Sequence, residues 1–148
     1  MFDSLFPGIL VNHTLVTAVL TWIMAQLIKF LSCLIIRHEV DFTRLTGAGG
    51  MPSAHAAMVS AMAASIGKRT GWASGEFGIA VVLALVVMYD AAGIRQAVGK
   101  QARVLNTLVN EMPGKRMDIP EGLKELLGHT PVEVIAGALL GLVLAFIL

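Results

Sequence analysis

The stretch Gly49-Gly50-Met51-Pro52-Ser53-Ala54-His55-Ala56-Ala57 organises the sequence, because a tight loop here leads directly into a helix. The paired glycines can reach positive φ and let the backbone approach a ligand closely. Pro52 fixes its own φ, and Ser53 is a favourable N-cap for the alanine-rich helix that follows. A helix N-terminus attracts anions, and His55 on its first turn is placed to exchange a proton with one. An incidental histidine after a turn between two helices is the alternative explanation.

The composition predicts an integral membrane protein. The 148 residues are 56% hydrophobic and only 14% charged, whereas about 25% of the residues of a soluble domain are charged. The mean hydropathy is +0.77. A net charge of +1 gives no reason to expect a nucleic-acid partner. The single cysteine, Cys33, cannot form an internal disulfide and lies in an apolar run. We expect one membrane domain over residues 1–148.

Apolar runs predict four transmembrane helices, at about residues 14–36, 54–66, 77–92 and 131–148. The first is long enough to span a bilayer. The second is short for a span, but it carries small residues at helical spacing, which let membrane helices pack closely. Residues 94–110 carry an apolar stripe flanked by polar residues, which is typical of an amphipathic helix at the membrane interface. The predicted fold is all-α, a polytopic bundle of about four transmembrane helices plus one interfacial helix.

This topology gathers the chemically capable side chains on one membrane face. The first helix ends on the side where the second begins, the third ends and the fourth begins. Of the 11 Lys and Arg residues, only Lys68 and Arg69 fall on the opposite side. By the positive-inside rule, the basic side is cytoplasmic. The residues predicted to share that face are Lys29, Arg37, Arg44, Ser53, His55, Asp90, Arg95, His129 and Glu133.

Two histidines, several basic side chains and a helix N-terminus are the parts that phosphoryl transfer needs. A neutral imidazole can attack phosphorus, and a second imidazolium can protonate the leaving oxygen. A carboxylate should hold the attacking histidine in one tautomer. Glu133, four residues after His129, is placed for this role. The segment Thr130-Pro131-Val132-Glu133 is also a capping-box pattern, so Glu133 has a purely structural explanation as well.

Three segments resemble the motifs of the type 2 phosphatidic acid phosphatase (PAP2) superfamily. Pro52-Ser53-Ala54-His55 resembles its PSGH motif, with alanine in place of glycine. The segment from His129 to Gly137 resembles its H-x3-D motif, with glutamate in place of aspartate and an Ala-Gly helix following. Lys29 and Arg37 resemble its K-x6-RP motif, with seven intervening residues and no proline.

The chain as a whole looks most like the divergent PAP2 family, whose members are membrane proteins related to acid phosphatases and vanadium-dependent haloperoxidases. The features that carry this resemblance are Gly49 to His55, Asp90-Ala91-x-Gly93-x-Arg95, Gly99-x-Gln101-Ala102, Leu105-Asn106, and Leu123 to Pro131. They cover most of the chain. The resemblance implies a PAP2-like helical core that is smaller than the six-helix core of the superfamily, so a homodimer or a trimmed bundle is expected.

The resemblance also implies roles for individual residues. His129 would be the nucleophile that forms a phosphohistidine, and Glu133 would orient it. His55 would protonate the leaving group and then activate water. Ser53 and nearby backbone N–H groups would hold phosphate oxygens, while Lys29 and Arg37 would neutralise charge. The superfamily pattern places Ser-Arg where this chain has Leu123, and Lys124 or Arg95 would substitute for that arginine.

Three further residues are candidates without a counterpart in the three motifs. Asp90 is a carboxylate at a helix end, and because ionisable groups in membranes are costly we expect it at the site or in an ion pair. Asn106 shares a helical face with Arg95 and would line the site with it, although helix capping would also explain it. Arg44 is expected to contact the site or a lipid headgroup.

Three functions fit these residues. The first is a metal-independent and cofactor-independent phosphatase acting on a membrane lipid phosphate, such as phosphatidate, phosphatidylglycerophosphate or a polyprenyl phosphate. The second is a binding or accessory membrane protein that keeps the anion pocket without turnover. The third is metal-dependent transfer, because Asp90-x2-Gly93-x-Arg95 is faintly similar to CDP-alcohol phosphotransferases, although the second aspartate pair is absent. The expected partners are lipids and a second copy of the chain.

Overall fold

The computed structural model describes residues 11–37, 50–111 and 128–148, and this part of the chain is helical with no strand. The helices are α1 (His13–Arg37), α2 (Ala54–Thr70), α3 (Gly75–Ala92), α4 (Ile94–Glu111) and α5 (Pro131–Ile147). The all-α prediction is confirmed. The predicted bounds differ from these by a few residues at most, and the largest difference is the end of α2, which continues through the basic residues at its C-terminus.

α2 lies at the centre of the bundle and packs against α1, α3 and α5. Nine of its 17 residues are buried, and all nine are alanine, serine or glycine. Because no buried side chain on α2 is larger than serine, the neighbouring helices approach it closely from several directions. These small residues therefore allow three other helices to surround α2.

The contact between α2 and α5 depends on glycine. A β-carbon at Gly137 would collide with the carbonyl oxygen of Ser53, and one at Gly141 would collide with that of Ala57. Ala145 continues the same line and packs against two alanines of α2. Two helix backbones touch here, which only residues without a β-carbon allow. This contact aligns the starts of the two helices, where the two candidate histidines lie.

The other end of the bundle is tied by polar contacts. The Ser65 hydroxyl lies 3.2 Å from the Thr14 hydroxyl, which links α2 to the start of α1. Lys68 donates to the carbonyl oxygen of Ala145 at 2.6 Å. Its ammonium group also lies 5.4 Å from the centre of the Phe146 ring. These contacts show that α2 and α5 run parallel, with α1 antiparallel to both.

Two helical runs are long and apolar enough to cross a membrane, namely His13–Ile35 and Gly75–Leu108, and Pro131–Ile147 is a shorter apolar helix. The second run combines α3 with most of α4, which meet at Gly93. Large apolar side chains on α3, such as Ile79 and Val82, are exposed, as expected for a helix that faces lipid. The count of four transmembrane helices stays a prediction.

α4 is amphipathic, as predicted. Within the described part of the chain it packs against α3 alone. Ala102 is buried, whereas Val104, Leu105 and Leu108 are exposed. An apolar face that no described residue covers, next to a polar face, is the pattern of a helix that lies at a membrane surface. Its location at the membrane interface stays a prediction.

Candidate active site

The starts of α2 and α5 and the end of α3 meet at one end of the bundle. The backbone N–H of Ser53 donates to the carbonyl oxygen of Glu133 at 2.9 Å. The backbone N–H of His129 donates to the carbonyl oxygen of Ala91 at 3.1 Å. Because these bonds join backbone atoms, they hold the three helix ends in register without using any functional side chain.

A capping box places His129 directly before α5. The Thr130 hydroxyl accepts from the Glu133 backbone N–H at 3.3 Å, and a Glu133 carboxylate oxygen accepts from the Thr130 backbone N–H at 3.1 Å. Pro131 occupies the first turn, where its missing N–H is not needed. The predicted capping box is therefore present, and it fixes the position of Glu133 relative to His129.

The same carboxylate oxygen of Glu133 also lies 3.0 Å from Nδ1 of His129. An ionised carboxylate only accepts hydrogen bonds, so Nδ1 carries the proton in this pair. Nε2 then holds the lone pair of the neutral ring. Glu133 therefore caps α5 and contacts His129 with one atom, so its geometry fits both the structural and the catalytic explanation.

The other ring nitrogen of His129 is buried and has no hydrogen-bond partner among the described residues. The whole side chain is only 1% exposed. Buried polar atoms in proteins are nearly always paired, so an unpaired one needs an explanation. A lone pair kept available for an incoming group is such an explanation.

His55, on the first turn of α2, lies beside His129. The two ring centres are 6.1 Å apart, and the ring planes meet at 65°. The close contact between α2 and α5 produces this pairing, because each histidine sits at the start of its helix. The structure thus brings together the three residues that the sequence singled out for catalysis.

Ser53 is fully buried and caps α2. Its hydroxyl accepts from the Ala56 backbone N–H at 3.4 Å, which leaves the hydroxyl hydrogen to donate elsewhere. The preceding loop turns at Gly50, whose φ of 84° is in the region that favours glycine. The N-cap role expected for Ser53 is therefore present, next to the two histidines.

Lys29 is buried in α1, which is unusual for a lysine. Ile28, which precedes it, and Ser32, one turn later in α1, border a cavity of about 420 Å³ together with Met51 and Pro52. This part of α1 therefore runs past the loop that precedes α2.

For the other candidate residues, the structure gives the position in a helix and, for two of them, the burial of the side chain. Asp90 is half-buried on α3, next to the residue whose carbonyl binds the His129 backbone, and Asn106 is half-buried on α4. Arg37 ends α1 and Arg95 lies in the first turn of α4, and the structure describes their backbones alone. Arg44 and Lys124 lie outside the described residues.

Two buried polar residues of α1 were not assigned by the sequence analysis. The Thr21 hydroxyl and the side-chain oxygen of Gln26 are buried, and neither has a hydrogen-bond partner in the described part of the chain. The signal that could have identified them in the sequence is the presence of polar side chains in a largely apolar helix. Among the described residues, no three His, Cys, Asp or Glu side chains lie close enough together to hold a metal ion.

Comparison with known proteins supports the family resemblance over most of the chain. Residues 10–144 match the model of the Divergent PAP2 family. The chain is 36% identical over 151 aligned positions to the uncharacterized membrane protein YuiD of Bacillus subtilis (strain 168), an alignment that covers 95% of this chain and 96% of that relative. No solved structure matches the chain. Since the family match covers most of the chain, including both site histidines, the chain belongs to the divergent PAP2 family of membrane proteins.

Proposed function

We propose that this chain is a lipid-phosphate phosphatase that acts through a covalent phosphohistidine on His129. This proposal is supported most by the different surroundings of the two ring nitrogens of His129. Nδ1 is held by Glu133 at 3.0 Å, while Nε2 is buried and unpaired among the described residues. A neutral imidazole fixed in one tautomer, with its lone pair unused, is suited to be a nucleophile.

In the first step, Nε2 of His129 attacks the phosphorus atom of a phosphate monoester. A nitrogen–phosphorus bond forms, and the bond from phosphorus to the lipid oxygen breaks. His55, as the imidazolium, gives its proton to that oxygen, and the lipid alcohol leaves. Glu133 stabilises the positive charge that develops on the His129 ring, because its carboxylate accepts from Nδ1–H.

In the second step, water displaces the histidine. The neutral His55 left by the first step takes a proton from water as the oxygen attacks phosphorus. The nitrogen–phosphorus bond breaks, inorganic phosphate leaves, and His129 returns to the neutral form with its proton on Nδ1. Each histidine ends the cycle as it began, so the proposed cycle needs only water as a second substrate.

The negative charge on the phosphoryl oxygens also needs compensation. The start of α2 supplies a helix N-terminus, whose N–H groups favour anions. Ser53 at this terminus has a hydroxyl hydrogen to donate, and Lys29 is a buried cation on α1. We assign to Arg37, Arg95 and Lys124 the same neutralising role, which stays a prediction from sequence.

A lipid is the favoured substrate because the site lies at the ends of apolar helices. Two helical runs are long enough to cross a membrane, and a headgroup phosphate would lie where those helices end. Phosphatidate, phosphatidylglycerophosphate and polyprenyl phosphates all carry a phosphate monoester next to a hydrocarbon chain. The charge distribution along the sequence favours a multi-pass protein with this site on the cytoplasmic side.

The test is phosphate release from these three lipids by purified protein in detergent with EDTA present. The variants are His129→Ala and His55→Ala, and the control is His13→Ala, which changes a histidine at the opposite end of the bundle. We expect release by the unmodified protein and by His13→Ala, and loss of about 100-fold or more in the two site variants. Acid-labile labelling of the unmodified protein with a ³²P-labelled substrate would identify the phosphohistidine.

Other outcomes identify other functions. Release that requires a divalent metal and survives both site substitutions would contradict the histidine mechanism. An absence of release with any of the lipids, combined with a rise in thermal stability on adding vanadate or phosphate, would indicate a binding protein that keeps the pocket without turnover.

A further inference from the structure

A cavity of about 200 Å³ lies between α2, α3 and α5. Small residues of α2 and α3, such as Ala63, Ala64 and Ala84, form part of its lining. Ser60 carries the one hydroxyl among the described residues that line it, and this hydroxyl is 4.0 Å from the sulfur of Met88. The lining is therefore almost wholly apolar, so it is suited to bind a hydrocarbon chain.

One end of the cavity reaches the cluster that supports His129. Met88 lines the cavity and also packs against a buried cluster that contains Ala56, Ala91 and Val134. The carbonyl oxygen of Ala91 accepts the backbone hydrogen bond of His129. A chain lying in the cavity would therefore end close to the position of the reacting phosphate.

Aromatic rings line the opposite end of the cavity. Trp72 and Phe77 both line the cavity and contact each other edge to face, with ring centres 5.1 Å apart. Trp72 is also stacked on Phe146 at 6.4 Å and is 54% exposed. An exposed tryptophan at the end of a membrane helix is typical of the membrane–water interface. The cavity thus runs along the helices, from the site toward the far side of the bundle.

The length of the cavity fits one leaflet of a bilayer. Its wall on α3 extends from Phe77 to Met88, which is about 17 Å at 1.5 Å per residue. Half of a typical hydrocarbon core is about 15 Å. Leu85 at the rim is 59% exposed, so a chain could enter sideways from the membrane.

We propose that this cavity holds a hydrocarbon chain of the lipid phosphate whose headgroup reacts at His129. The assignment of the headgroup rests on the proposed phosphatase function. The shape of the cavity favours a single chain over a second copy of the protein, because a helix is about 10 Å across and would not enter a cavity of about 200 Å³. The phosphatase would therefore distinguish its substrates partly by chain length.

The first experiment measures the position of the chain directly. Unmodified protein is irradiated with a phosphatidate that carries a diazirine in the middle of one acyl chain, and the adducts are mapped by mass spectrometry. We expect adducts concentrated on residues 77–88, with most of them removed by excess unlabelled phosphatidate. Adducts spread evenly over all the outer helices, and unaffected by competitor, would overturn the proposal.

The second experiment fills the cavity. Ala84 is 5% exposed and lines it, so Ala84→Phe would occupy the space of the chain. The matched control is Val82→Phe on the same helix, because Val82 is 61% exposed and is not part of the lining. We expect Ala84→Phe to lower the ratio of kcat/KM for dioleoyl over dihexanoyl phosphatidate about tenfold, the cost of losing the burial of two methylene groups. Val82→Phe should leave that ratio unchanged.

The two experiments separate this proposal from the proposed function. Phosphate release with scattered adducts and equal behaviour of the two variants would leave the phosphatase standing and remove the chain site. Competed adducts at residues 77–88 without phosphate release would keep the chain site and remove the phosphatase. If Ala84→Phe does not fold, the labelling of the unmodified protein still decides the question.

Discussion

Glu133 performs two tasks with one oxygen atom, since it accepts from the backbone N–H of Thr130 and from Nδ1 of His129. A glutamate in a capping box is an ordinary structural feature. Because His129 directly precedes the N-cap, the same glutamate also orients the imidazole ring. The proposed catalytic role of Glu133 and the capping of α5 therefore depend on the same atom, and suitable substitutions should separate them.

Glu133→Gln should keep the fold and lose activity. Glutamine also serves in capping boxes, so the bond to Thr130 can persist, while the negative charge that stabilises a positive His129 ring disappears. We expect a decrease in kcat of about 100-fold or more with little change in melting temperature, measured by phosphate release and thermal unfolding in detergent.

The control for that prediction is Thr130→Ala, which removes the hydroxyl cap and leaves the contact between Glu133 and His129. It should lower stability by about 1 kcal/mol and change kcat much less than Glu133→Gln does. Equal losses of stability and activity in both variants would show that Glu133 acts through capping alone.

Among the helices, the contact between α2 and α5 determines the geometry of the site. Gly137 and Gly141 let α5 approach the backbone of α2, and this approach places His129 beside His55. A larger residue at either glycine would meet backbone atoms, which cannot rotate away as a side chain can.

Gly137→Ala and Gly141→Ala should each lower the free energy of unfolding by roughly 1–3 kcal/mol, because the helices must separate to admit the new methyl group. Gly137→Ala, which is closer to the site, should also reduce phosphate release. The matched control is Gly78→Ala on α3, where an added β-carbon would meet nothing within 4 Å. That change should be neutral or stabilise by up to about 1 kcal/mol. Similar effects in all three variants would contradict the packing argument.

Lys68 provides a second contact between α2 and α5, at the end away from the histidines. Lys68→Met keeps the apolar stem and removes the bond to Ala145, so we expect a loss of about 1 kcal/mol with unchanged phosphate release. Arg69→Met removes the same charge at the neighbouring exposed position and should cost less. A loss of activity in Lys68→Met would show that the two ends of the bundle are coupled.

For the whole molecule, the arrangement of the helices places the histidine site and the turn between α2 and α3 at opposite ends. The charge distribution predicts that the site end is cytoplasmic. Single cysteines in a Cys33→Ala background can test this, because Met51 near the site and Ala73 in the turn are both exposed.

A membrane-impermeant thiol reagent should label Met51→Cys in inside-out vesicles and Ala73→Cys in right-side-out vesicles. Labelling of both cysteines from the same side would contradict the predicted topology. If each cysteine is labelled from the side opposite to that expected, the site and the turn still lie on opposite faces of the membrane. The orientation of the protein in the membrane is then the reverse of the predicted one.

The sequence alone was sufficient for the helical membrane fold, the capping box and the placement of His55 and His129 at the starts of two helices. These depend on local signals, since a run of apolar residues, a proline after threonine, and glycines before a serine cap act within a few residues. The bounds of α1, α3 and α5 were close to those predicted for the same reason. The catalytic roles of His55 and His129 stay a prediction. The roles of Arg37, Arg44, Arg95 and Lys124 stay predictions, because their side chains lie outside the described part of the structure.

The tertiary structure alone decided which roles are combined and which helix is central. The sequence left Glu133 with two competing explanations, and the distances of 3.0 and 3.1 Å from its carboxylate oxygen show that both geometries occur together. It also could not reveal that Gly137 and Gly141 touch the backbone of α2, or that α2, α3 and α5 enclose a cavity. Such features arise between residues far apart in the chain, where close packing rather than local preference determines the distances.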